Sequence, residues 1–285
     1  MDGYNALIAL DMDGTALDDE KKVTGYTLRA IVRAMEKGCL VLPVTGRPVA
    51  GLPAPFMSIP GIDHAITANG SCIYRIDDYS SERWECIRKI SLPAQTVRLI
   101  ADIGKRHDIM VDCFIDGVGH IEKRFFPVIP TLGYPKGIAD YMLLTKRFVD
   151  DIYEVIDGNV EQIEKITLNF RNDEEGLALR EEVKKELAHV RGISVVAGGG
   201  QNLEIGEYTA TKGNAVKWLC GLYGIAHENT MACGDQMNDI DMIESVSFGV
   251  AMGNAPAHVK TAAKRTVADL DHGGCAQAIR MLLEG

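Results

Sequence analysis

Short aliphatic runs that end in polar, glycine-containing motifs recur near the start of the 285-residue chain. The run at residues 6–10 precedes "DMDGT", the run at 40–44 leads into "TGRP", and the run at 65–68 ends at "NG". Residues 28–35 carry apolar side chains at helical spacing between the first two runs, and Gly38 follows as a helix stop. This alternation predicts βαβ units on a parallel sheet, which is a Rossmann-like α/β core.

The same pattern returns in the last part of the chain. A helix is expected after "TKGN", a strand at residues 230–233 ends at "GDQMND", and a strand at 248–252 ends at "GNA". Polar motifs thus repeatedly follow strands, and ligands of open α/β sheets bind beyond the carboxyl ends of the strands. The sequence therefore predicts a ligand site at that edge of the sheet.

The middle of the chain has a different pattern. The dipeptide Asp116-Gly117 is a strong hairpin-turn signal, and both strands and helices are expected around it. This mixture predicts an α+β cap domain inserted into the parallel-sheet core. The predicted boundaries are residues 1–83 for the first part of the core, 84–201 for the cap and 202–285 for the second part of the core.

Composition and charge limit the partners. The formal net charge is −10 and the pI is near 5.2, so neither nucleic acid nor an anionic membrane is expected as the main partner. The seven cysteines are widely spread and contain no C-x-x-C pair, which favours a reduced protein. The sequence shows no signal peptide and no apolar run of about 18 residues that could span a bilayer. We therefore expect a cytoplasmic location.

Acidic residues are crowded after the first predicted strand, with five between Asp11 and Glu20. Asp11 and Asp13 are expected on the same side of an extended turn, where a glycine lets the chain bend. Carboxylates that share a site repel one another unless a cation or hydrogen bonds compensate. A cation is therefore expected at this turn, whereas Asp18, Asp19 and Glu20 are interpreted as a solvated turn.

Groups suited to phosphate stand at two other points of the same predicted edge. Thr45, Gly46 and Arg47 offer a hydroxyl, backbone N–H groups and a fixed positive charge. Lys212, at an expected helix start, offers a second cation near backbone N–H groups that favour anions. Each alone could be structural, Thr45 as a cap and the two cations as surface charges. Their joint placement favours binding of a phosphate.

Two further carboxylates follow the predicted strand at residues 230–233. Asp235 and Asp239 supply hard oxygen ligands, which together with Asp11 and Asp13 suit Mg²⁺. Asn238 lies between them in the same motif and could serve as a helix cap. The residues alone therefore predict a site for magnesium and phosphate, without assigning each side chain its role.

The motifs resemble those of the haloacid dehalogenase superfamily of phosphohydrolases, and in particular its Cof-type branch. They stand in the order of that branch: "DMDGT", "TGRP", "NG", "TKGNAV", "GDQMNDIDM" and "GVAMGNA". The resemblance covers both predicted core segments, whereas the middle of the chain matches mainly in length and position. It implies a phosphatase whose cap is inserted between the second and third motifs.

The resemblance also implies a role for each site residue. Asp11 would be the nucleophile that forms an aspartyl phosphate, and Asp13 would protonate the leaving group and then activate water. Mg²⁺ would be held by the Asp11 carboxylate, the Asp13 backbone carbonyl and Asp235. The groups expected to hold the phosphoryl oxygens are Thr45, Gly46, Arg47, Lys212 and Asn238. Asp239 would orient Lys212 or metal-bound water.

These features favour a Mg²⁺-dependent phosphatase that acts on a small phosphorylated metabolite, with sugar phosphates as the favoured class. A phosphohexomutase stays open, because retention of the phosphoenzyme depends on how water is excluded. A receiver-like signalling module also uses a phosphorylated aspartate, but it needs neither Asp13 nor a large inserted domain. A catalytically inactive binding protein is disfavoured, since every expected catalytic side chain is present. Specificity is expected in the cap, with residues 125–137 as the candidate segment.

Overall fold

The computed structural model describes residues 3–18, 20–198 and 200–284 of the chain. These residues form two compact units. The first unit combines residues up to 47, residues 52–88 and residues from 211 onward. The second unit combines residues 48–51 with residues 89–210. The first unit is therefore discontinuous in sequence, with most of the second unit inserted into it.

The first part of the chain alternates strands and helices, as its apolar pattern predicts. The elements are β1 (Ala6–Leu10), α1 (Gly25–Glu36), β2 (Cys39–Pro43), α2 (Ala54–Met57), β3 (His64–Thr67), β4 (Cys72–Asp78) and β5 (Arg83–Lys89). The run in β1 is almost entirely buried, as expected of a parallel strand that is covered on both faces. After α1, Gly38 has a φ of 80°, a left-handed conformation that ends helices.

The middle of the chain supplies the elements of the second unit. They are α3 (Ala94–Arg106), β6 (Met110–Ile115), β7 (Val118–Glu122), α4 (Lys136–Thr145), β8 (Arg147–Val149), α5 (Ile152–Gly158), β9 (Ile163–Asn169), α6 (Glu174–Leu187), β10 (Ile193–Gly198) and β11 (Asn202–Glu207). Its sheet has the strand order β10-β11-β9-β6-β7-β8. Asp116 and Gly117 form the predicted two-residue turn between β6 and β7, and both have a positive φ.

Two apolar clusters stabilise the second unit. The larger one joins α3, α5 and α6 to the sheet through residues such as Ile100, Ile156 and Val183. The smaller one joins α4 to β6, β7 and the segment that follows β7, with Ile121 and Met142 among its buried members. This mixture of helices with a mostly antiparallel sheet is an α+β arrangement.

The last part of the chain returns to the first unit. Its elements are α7 (Lys212–Tyr223), β12 (Thr230–Gly234), α8 (Ile240–Ser245), β13 (Phe248–Ala251), α9 (Ala257–Ala262), β14 (Arg265–Thr266) and α10 (Gly274–Glu284). The main sheet has the order β14-β13-β12-β1-β2, and all its neighbouring strands are parallel. Leu7 in β1 pairs with Leu40 on one side and with Thr230 on the other. Strands from distant parts of the sequence are thus adjacent.

A small sheet of order β3-β4-β5, in which β3 and β4 are antiparallel, extends the first unit beyond β2. A single parallel bridge joins Val44 to Ile66 in β3. The core between sheet and helices contains Leu42 and Ile66 together with Val216 and Leu219 from α7. This core anchors the loops at the carboxyl ends of β1 and β2 and the start of α7.

The boundaries of the second unit are offset from the predicted cap. The unit resumes at Lys89 and ends at Ala210, whereas the predicted cap spans 84–201. The difference at the second boundary arises from β11, which pairs with β9 and β10 and buries Leu203 and Ile205 in the core of the second unit. The division into core and cap as functional parts stays a prediction.

The predicted fold class is confirmed, because the chain forms a parallel-sheet α/β core with an inserted α+β domain. None of the helices within residues 3–18, 20–198 and 200–284 has the length and apolar character that a membrane-spanning helix needs.

Candidate active site

The carboxyl ends of adjacent strands in the main sheet carry most of the residues that the motifs supply. Asp11 directly follows β1, and its N–H donates to the carbonyl oxygen of Cys233 in β12 at 3.0 Å. Asp235 directly follows β12, and Thr45 lies two residues after β2. Because these strands are parallel neighbours, the sheet brings together side chains that are more than 200 residues apart in sequence.

Lys212 lies at the centre of the buried part of the site. Its side chain is 1% exposed, and its Nζ donates to Asp11 Oδ1 at 2.7 Å and to Asp239 Oδ1 at 2.6 Å. Burial lowers the pKa of Lys212, but the two carboxylates outweigh this effect and raise it above its usual value. The lysine is therefore held as an ammonium between the two carboxylates.

Asp239 is fully engaged by the protein. Besides its contact with Lys212, its Oδ2 accepts hydrogen bonds from the backbone N–H groups of Asp235, at 3.0 Å, and of Gln236, at 2.9 Å. Its side chain is completely buried. Asp239 thus fixes both the lysine and the loop that presents Asp235, which agrees with an orienting role.

Asp11 and Asp235 share an environment that disfavours two negative charges. Burial, with the neighbouring Asp239, raises the pKa of Asp11 well above its usual range, and Lys212 lowers it only in part. Burial and Asp239 also raise the pKa of Asp235, and the hydroxyl of Thr15, which donates to Asp235 Oδ1 at 3.0 Å, lowers it. An additional positive charge would relieve this repulsion.

The donor set fits a divalent cation. Carboxylate oxygens of Asp11, Asp235 and Asp239 lie within 4.8 Å of one another, and all three residues are buried. The ammonium group of Lys212 donates to two of these carboxylates, those of Asp11 and Asp239. Hard oxygen donors with excess negative charge suit Mg²⁺.

Gly14 is required by the close approach of Asp235. Its φ is +86°, and a Cβ at this position would lie 2.6 Å from Asp235 Oδ2. A side chain here would push the carboxylate away from Asp11 and would strain the backbone as well. The glycine of "DMDGT" therefore lets the two acidic loops meet.

Asp13 lies outside this buried cluster, although only two positions separate it from Asp11. Arg47 Nη2 donates to both carboxylate oxygens of Asp13, each at 2.7 Å. Arg47 Nε donates to Asp13 Oδ2 at 3.0 Å. Lys21 Nζ lies 2.8 Å from Asp13 Oδ1. Burial tends to raise the pKa of Asp13, but Arg47 and Lys21 together lower it below its usual value.

Thr45 and Arg47 are fixed by the loop after β2. Thr45 is buried, its N–H donates to the carbonyl oxygen of Ile66 at 2.9 Å, and its hydroxyl oxygen accepts from the Arg47 N–H at 3.2 Å. Gly46 lies between them and is half-buried. This loop therefore brings a hydroxyl and a guanidinium group to the same edge as Asp11.

The "NG" motif approaches the start of α7. Gly70 has a φ of +104°, and a Cβ there would lie 2.2 Å from the carbonyl oxygen of Thr211. Thr211 caps α7 by accepting from the N–H of Asn214 at 3.2 Å. Asn238 donates to Asn69 Oδ1 at 3.2 Å, so its amide is directed to this loop.

The family model for haloacid dehalogenase-like hydrolases matches residues 8–279, which spans both parts of the parallel sheet and the inserted domain. The chain belongs to this family. It is a phosphatase of the haloacid dehalogenase superfamily, that is, a phosphoric monoester hydrolase, as the resemblance of its motifs predicts.

Named relatives of this hydrolase match it over almost their whole length. It is 27% identical to a 5-amino-6-(5-phospho-D-ribitylamino)uracil phosphatase of Bacillus subtilis, with 96% of this chain and 94% of that protein covered. It is 28% identical to a pyridoxal phosphate phosphatase of Escherichia coli, with coverages of 96% and 97%. A solved structure of a haloacid dehalogenase-like hydrolase from B. subtilis has a TM-score of 0.80 at 24% identity, covering 96% of this chain and 99% of that one.

The structure of this hydrolase also adds residues that the motifs did not single out. Gln236 Nε2 donates to Asp235 Oδ2 at 2.9 Å, and Asn254 Nδ2 donates to the same oxygen at 3.3 Å and to the Gly14 carbonyl oxygen at 3.0 Å. Lys21 contacts Asp13. Asn254 belongs to the "GNA" motif, and its position after the strand β13 is the sequence feature that points to it. Lys21 directly follows the acidic residues that are interpreted as a solvated turn, so the sequence does not indicate its contact with Asp13.

Proposed function

We propose that this hydrolase cleaves a small phosphorylated metabolite by way of an aspartyl phosphate on Asp11, with Mg²⁺ as its cofactor. The observation that carries the proposal is the contrast between two carboxylates of one turn. Asp11 is buried against Lys212, whereas Asp13 is half-exposed and paired with Arg47. Such separated environments are typical of carboxylates with different catalytic roles.

Asp11 is the proposed nucleophile. Its Oδ1 is held by Lys212, which Asp239 holds in turn, so the orientation of the carboxylate is fixed by two buried contacts. The same ammonium group can compensate negative charge that develops on the phosphoryl oxygens. The hydroxyl of Thr45, the backbone N–H of Gly46 and the amide of Asn238 are the further groups proposed to hold these oxygens.

Asp13 is the proposed acid and base. The pairing with Arg47 and Lys21 favours its ionised form, which is the form that accepts a proton from the attacking water in the second step. Arg47 is also a proposed ligand of the phosphoryl group. When Arg47 turns to the substrate, Asp13 loses one of its two cations, which favours the protonated form needed for the first step.

Mg²⁺ is proposed to be held by the Asp11 carboxylate, the Asp13 backbone carbonyl and Asp235. When bound, the ion would neutralise phosphoryl charge and the repulsion between the carboxylates. Thr15, Gln236 and Asn254 orient Asp235 for this role through their hydrogen bonds. Asp239 is proposed to orient Lys212, since its oxygens already accept hydrogen bonds from the protein.

The substrate class is proposed from the relatives and from the chemistry of the site. The named relatives are phosphatases of a ribityl phosphate compound and of pyridoxal phosphate, both small phosphate monoesters. We propose a small phosphorylated metabolite of this kind, with sugar phosphates as the favoured class, and a cytoplasmic location. Release of inorganic phosphate from hexose phosphates without a bisphosphate activator would distinguish this function from that of a phosphohexomutase.

The two aspartates provide the decisive experiment. Asp11→Asn removes the nucleophile and should abolish turnover of every phosphate ester. Asp13→Asn removes only proton transfer, which contributes about 10² to 10⁴ in rate. An aryl phosphate has a leaving group that needs no protonation, so it should still phosphorylate Asp11 in the Asp13→Asn variant.

Rapid mixing of the Asp13→Asn variant with an aryl phosphate should therefore give a burst of released phenol followed by slow turnover. An alkyl phosphate should give no burst. Equal losses for alkyl and aryl esters without a burst would show that Asp13 only supports the site, and the proposed division of roles would be wrong.

A further inference from the structure

Lys21 contacts Asp13 from a chain segment that supplies no other group of the proposed mechanism. Its Nζ lies 2.8 Å from Asp13 Oδ1, and its side chain is 42% exposed. Arg47 reaches both oxygens of the same carboxylate from the loop after β2. Asp13 is therefore held by two cations that stand on independent loops.

The backbone around Lys21 is built to present this side chain. The N–H of Lys21 donates to the Asp18 carbonyl oxygen at 2.9 Å, and the N–H of Lys22 donates to Asp18 Oδ1 at 2.9 Å. The N–H of Asp18 donates back to the Lys22 carbonyl oxygen at 3.0 Å. These bonds stabilise a turn in which Lys21 has a φ of 61°, a conformation that disfavours residues with a side chain.

Buried residues fix the base of this turn. Ala16 and Leu17 are both fully buried, and Leu17 forms an isolated bridge with Asp13. Asp18, Lys21 and Lys22 are thus anchored next to Asp13. Lys22, by contrast, is exposed and pairs with Glu20.

We infer that Lys21 is a positioning residue for the acid and base carboxylate of Asp13, an inference that rests on the proposed function. Arg47 has two tasks in that mechanism, because it contacts Asp13 here and is proposed to bind the phosphoryl group in the complex. Lys21 has only one. When the phosphoryl group competes for Arg47, Lys21 keeps the Asp13 carboxyl group oriented toward the leaving-group oxygen.

The test compares Lys21→Met with Lys22→Met, an adjacent change that removes the same charge. Steady-state kinetics are measured with an alkyl and an aryl phosphate, and inorganic phosphate serves as a competitive inhibitor. Lys21→Met should lower kcat for the alkyl ester about three- to tenfold, since one partly exposed ion pair contributes modestly. KM and inhibition by phosphate should stay within about twofold of wild type, because the phosphate ligands are intact.

Two further results are expected. The rate at which the aryl ester phosphorylates the enzyme should change less than kcat for the alkyl ester, because only the alkyl leaving group needs the proton. Lys21→Arg should restore most of the alkyl activity, since it keeps a cation beside Asp13. If Lys21 only stabilised the turn, Lys21→Met would lower the activity toward both esters to the same extent. It would also lower the melting temperature, which circular dichroism records.

The inference is overturned if Lys21→Met behaves like Lys22→Met, or if it raises KM and weakens phosphate inhibition for both esters, as a direct phosphate ligand would. Turnover retained in Asp11→Asn would overturn the proposed function itself. If Asp11→Asn is inactive but Lys21→Met has the same kcat for the alkyl ester as wild type, only the role of Lys21 is overturned.

Discussion

At the scale of single residues, the site depends on charges that are compensated unequally. Lys212 is one ammonium group among three buried carboxylates, whereas Asp13 has two cations of its own. The first arrangement retains a net negative charge and suits a cation. The second holds a carboxylate in place without burying it, which suits the proton transfer proposed for Asp13.

Lys212→Met should therefore be a severe change. It removes the ammonium group that orients Asp11 and leaves Asp11 and Asp239 without their shared cation. We expect kcat to fall by about 10² or more, the usual scale for loss of one electrostatic stabiliser. The measurement is phosphate release at saturating substrate and Mg²⁺.

Lys217→Met is the matched control for this prediction, because Lys217 lies on the same helix and is exposed. Its activity should be close to that of wild type. A similar loss in both variants would mean that α7, and not the buried ammonium group, is responsible.

The sequence predicts the residues that lie next to strand ends best. Asp11, Thr45 and Asp235 follow strands that the apolar runs delimit to within one or two residues. Lys21 was not predicted, because its contact with Asp13 depends on a left-handed backbone conformation that no local pattern indicates. The sequence does not show that Asp11 is buried while Asp13 is half-exposed. This difference depends on residues distant in the chain, such as Lys212 beside Asp11 and Arg47 beside Asp13.

At the scale of elements, the site relies on close backbone contacts around the start of α7. Thr211 caps the helix, and Gly70 lies so near that a Cβ would overlap the Thr211 carbonyl oxygen. The first residue of this helix is Lys212. The position of the buried ammonium group is therefore set by the loop between β3 and β4 of the small sheet.

Gly70→Ala should accordingly affect both stability and activity. The φ of +104° and the overlap with Thr211 should lower the free energy of unfolding by about 2 kcal/mol or more and displace Lys212. Gly221→Ala is the control, because Gly221 lies within α7 with open space around it. This second change should raise the free energy of unfolding by about 0.5 to 1 kcal/mol without loss of activity. Urea titration of both variants measures the two changes in the free energy of unfolding, which should have opposite signs.

Elements were predicted best where the periodicity was long and regular. The helical spacing at residues 28–35 falls within α1, and the predicted hairpin turn at Asp116-Gly117 joins β6 to β7. The short helices α4 and α5 were not predicted, because seven to ten residues carry too few apolar repeats for a periodic pattern. The sequence does not predict the strand β11, which begins at the predicted boundary between cap and core. Its buried and less buried side chains alternate because it pairs with β9 and β10 in the sheet of the inserted domain.

At the scale of the whole molecule, a bound ion should stabilise the first unit, since its ligands would come from both ends of the chain. Mg²⁺ at about 100 times its Kd should add about 2.7 kcal/mol to the free energy of unfolding. The melting temperature should rise with Mg²⁺ in wild type and much less in Asp235→Asn. Glu244→Gln, a change of an exposed acid on α8, is the control and should respond like wild type.

The same preparation tests the cofactor. Activity should disappear in excess EDTA and return with Mg²⁺. Full turnover of the metal-free protein in EDTA would rule out the proposed magnesium chemistry, whatever the thermal result.

Selectivity between substrates is predicted to reside in the inserted domain, at residues 125–137. Within this segment Phe125 and Ile129 are buried in the second unit, whereas Phe126 and Val128 are exposed. Phe126→Ala and Val128→Ala should therefore alter the ranking of phosphate esters while the fold is kept. Leu144→Ala is the control, because Leu144 is exposed on α4 outside the segment. An unchanged ranking across a panel of sugar and cofactor phosphates would show that the segment is wrongly assigned.

The pairing of β1 has a consequence for how the protein is made. Its first neighbour, β2, is complete by residue 43, but its second neighbour, β12, extends only from residue 230 to 234. A ribosome must therefore finish the entire inserted domain before that edge of β1 can be covered, and an unpaired edge is a site for misassociation. Asp11 leaves the ribosome before the inserted domain, yet it meets Lys212 and Asp235 only after that domain has been synthesised. A chain that stops within the inserted domain thus carries Asp11, the proposed nucleophile, without Lys212 and Asp235.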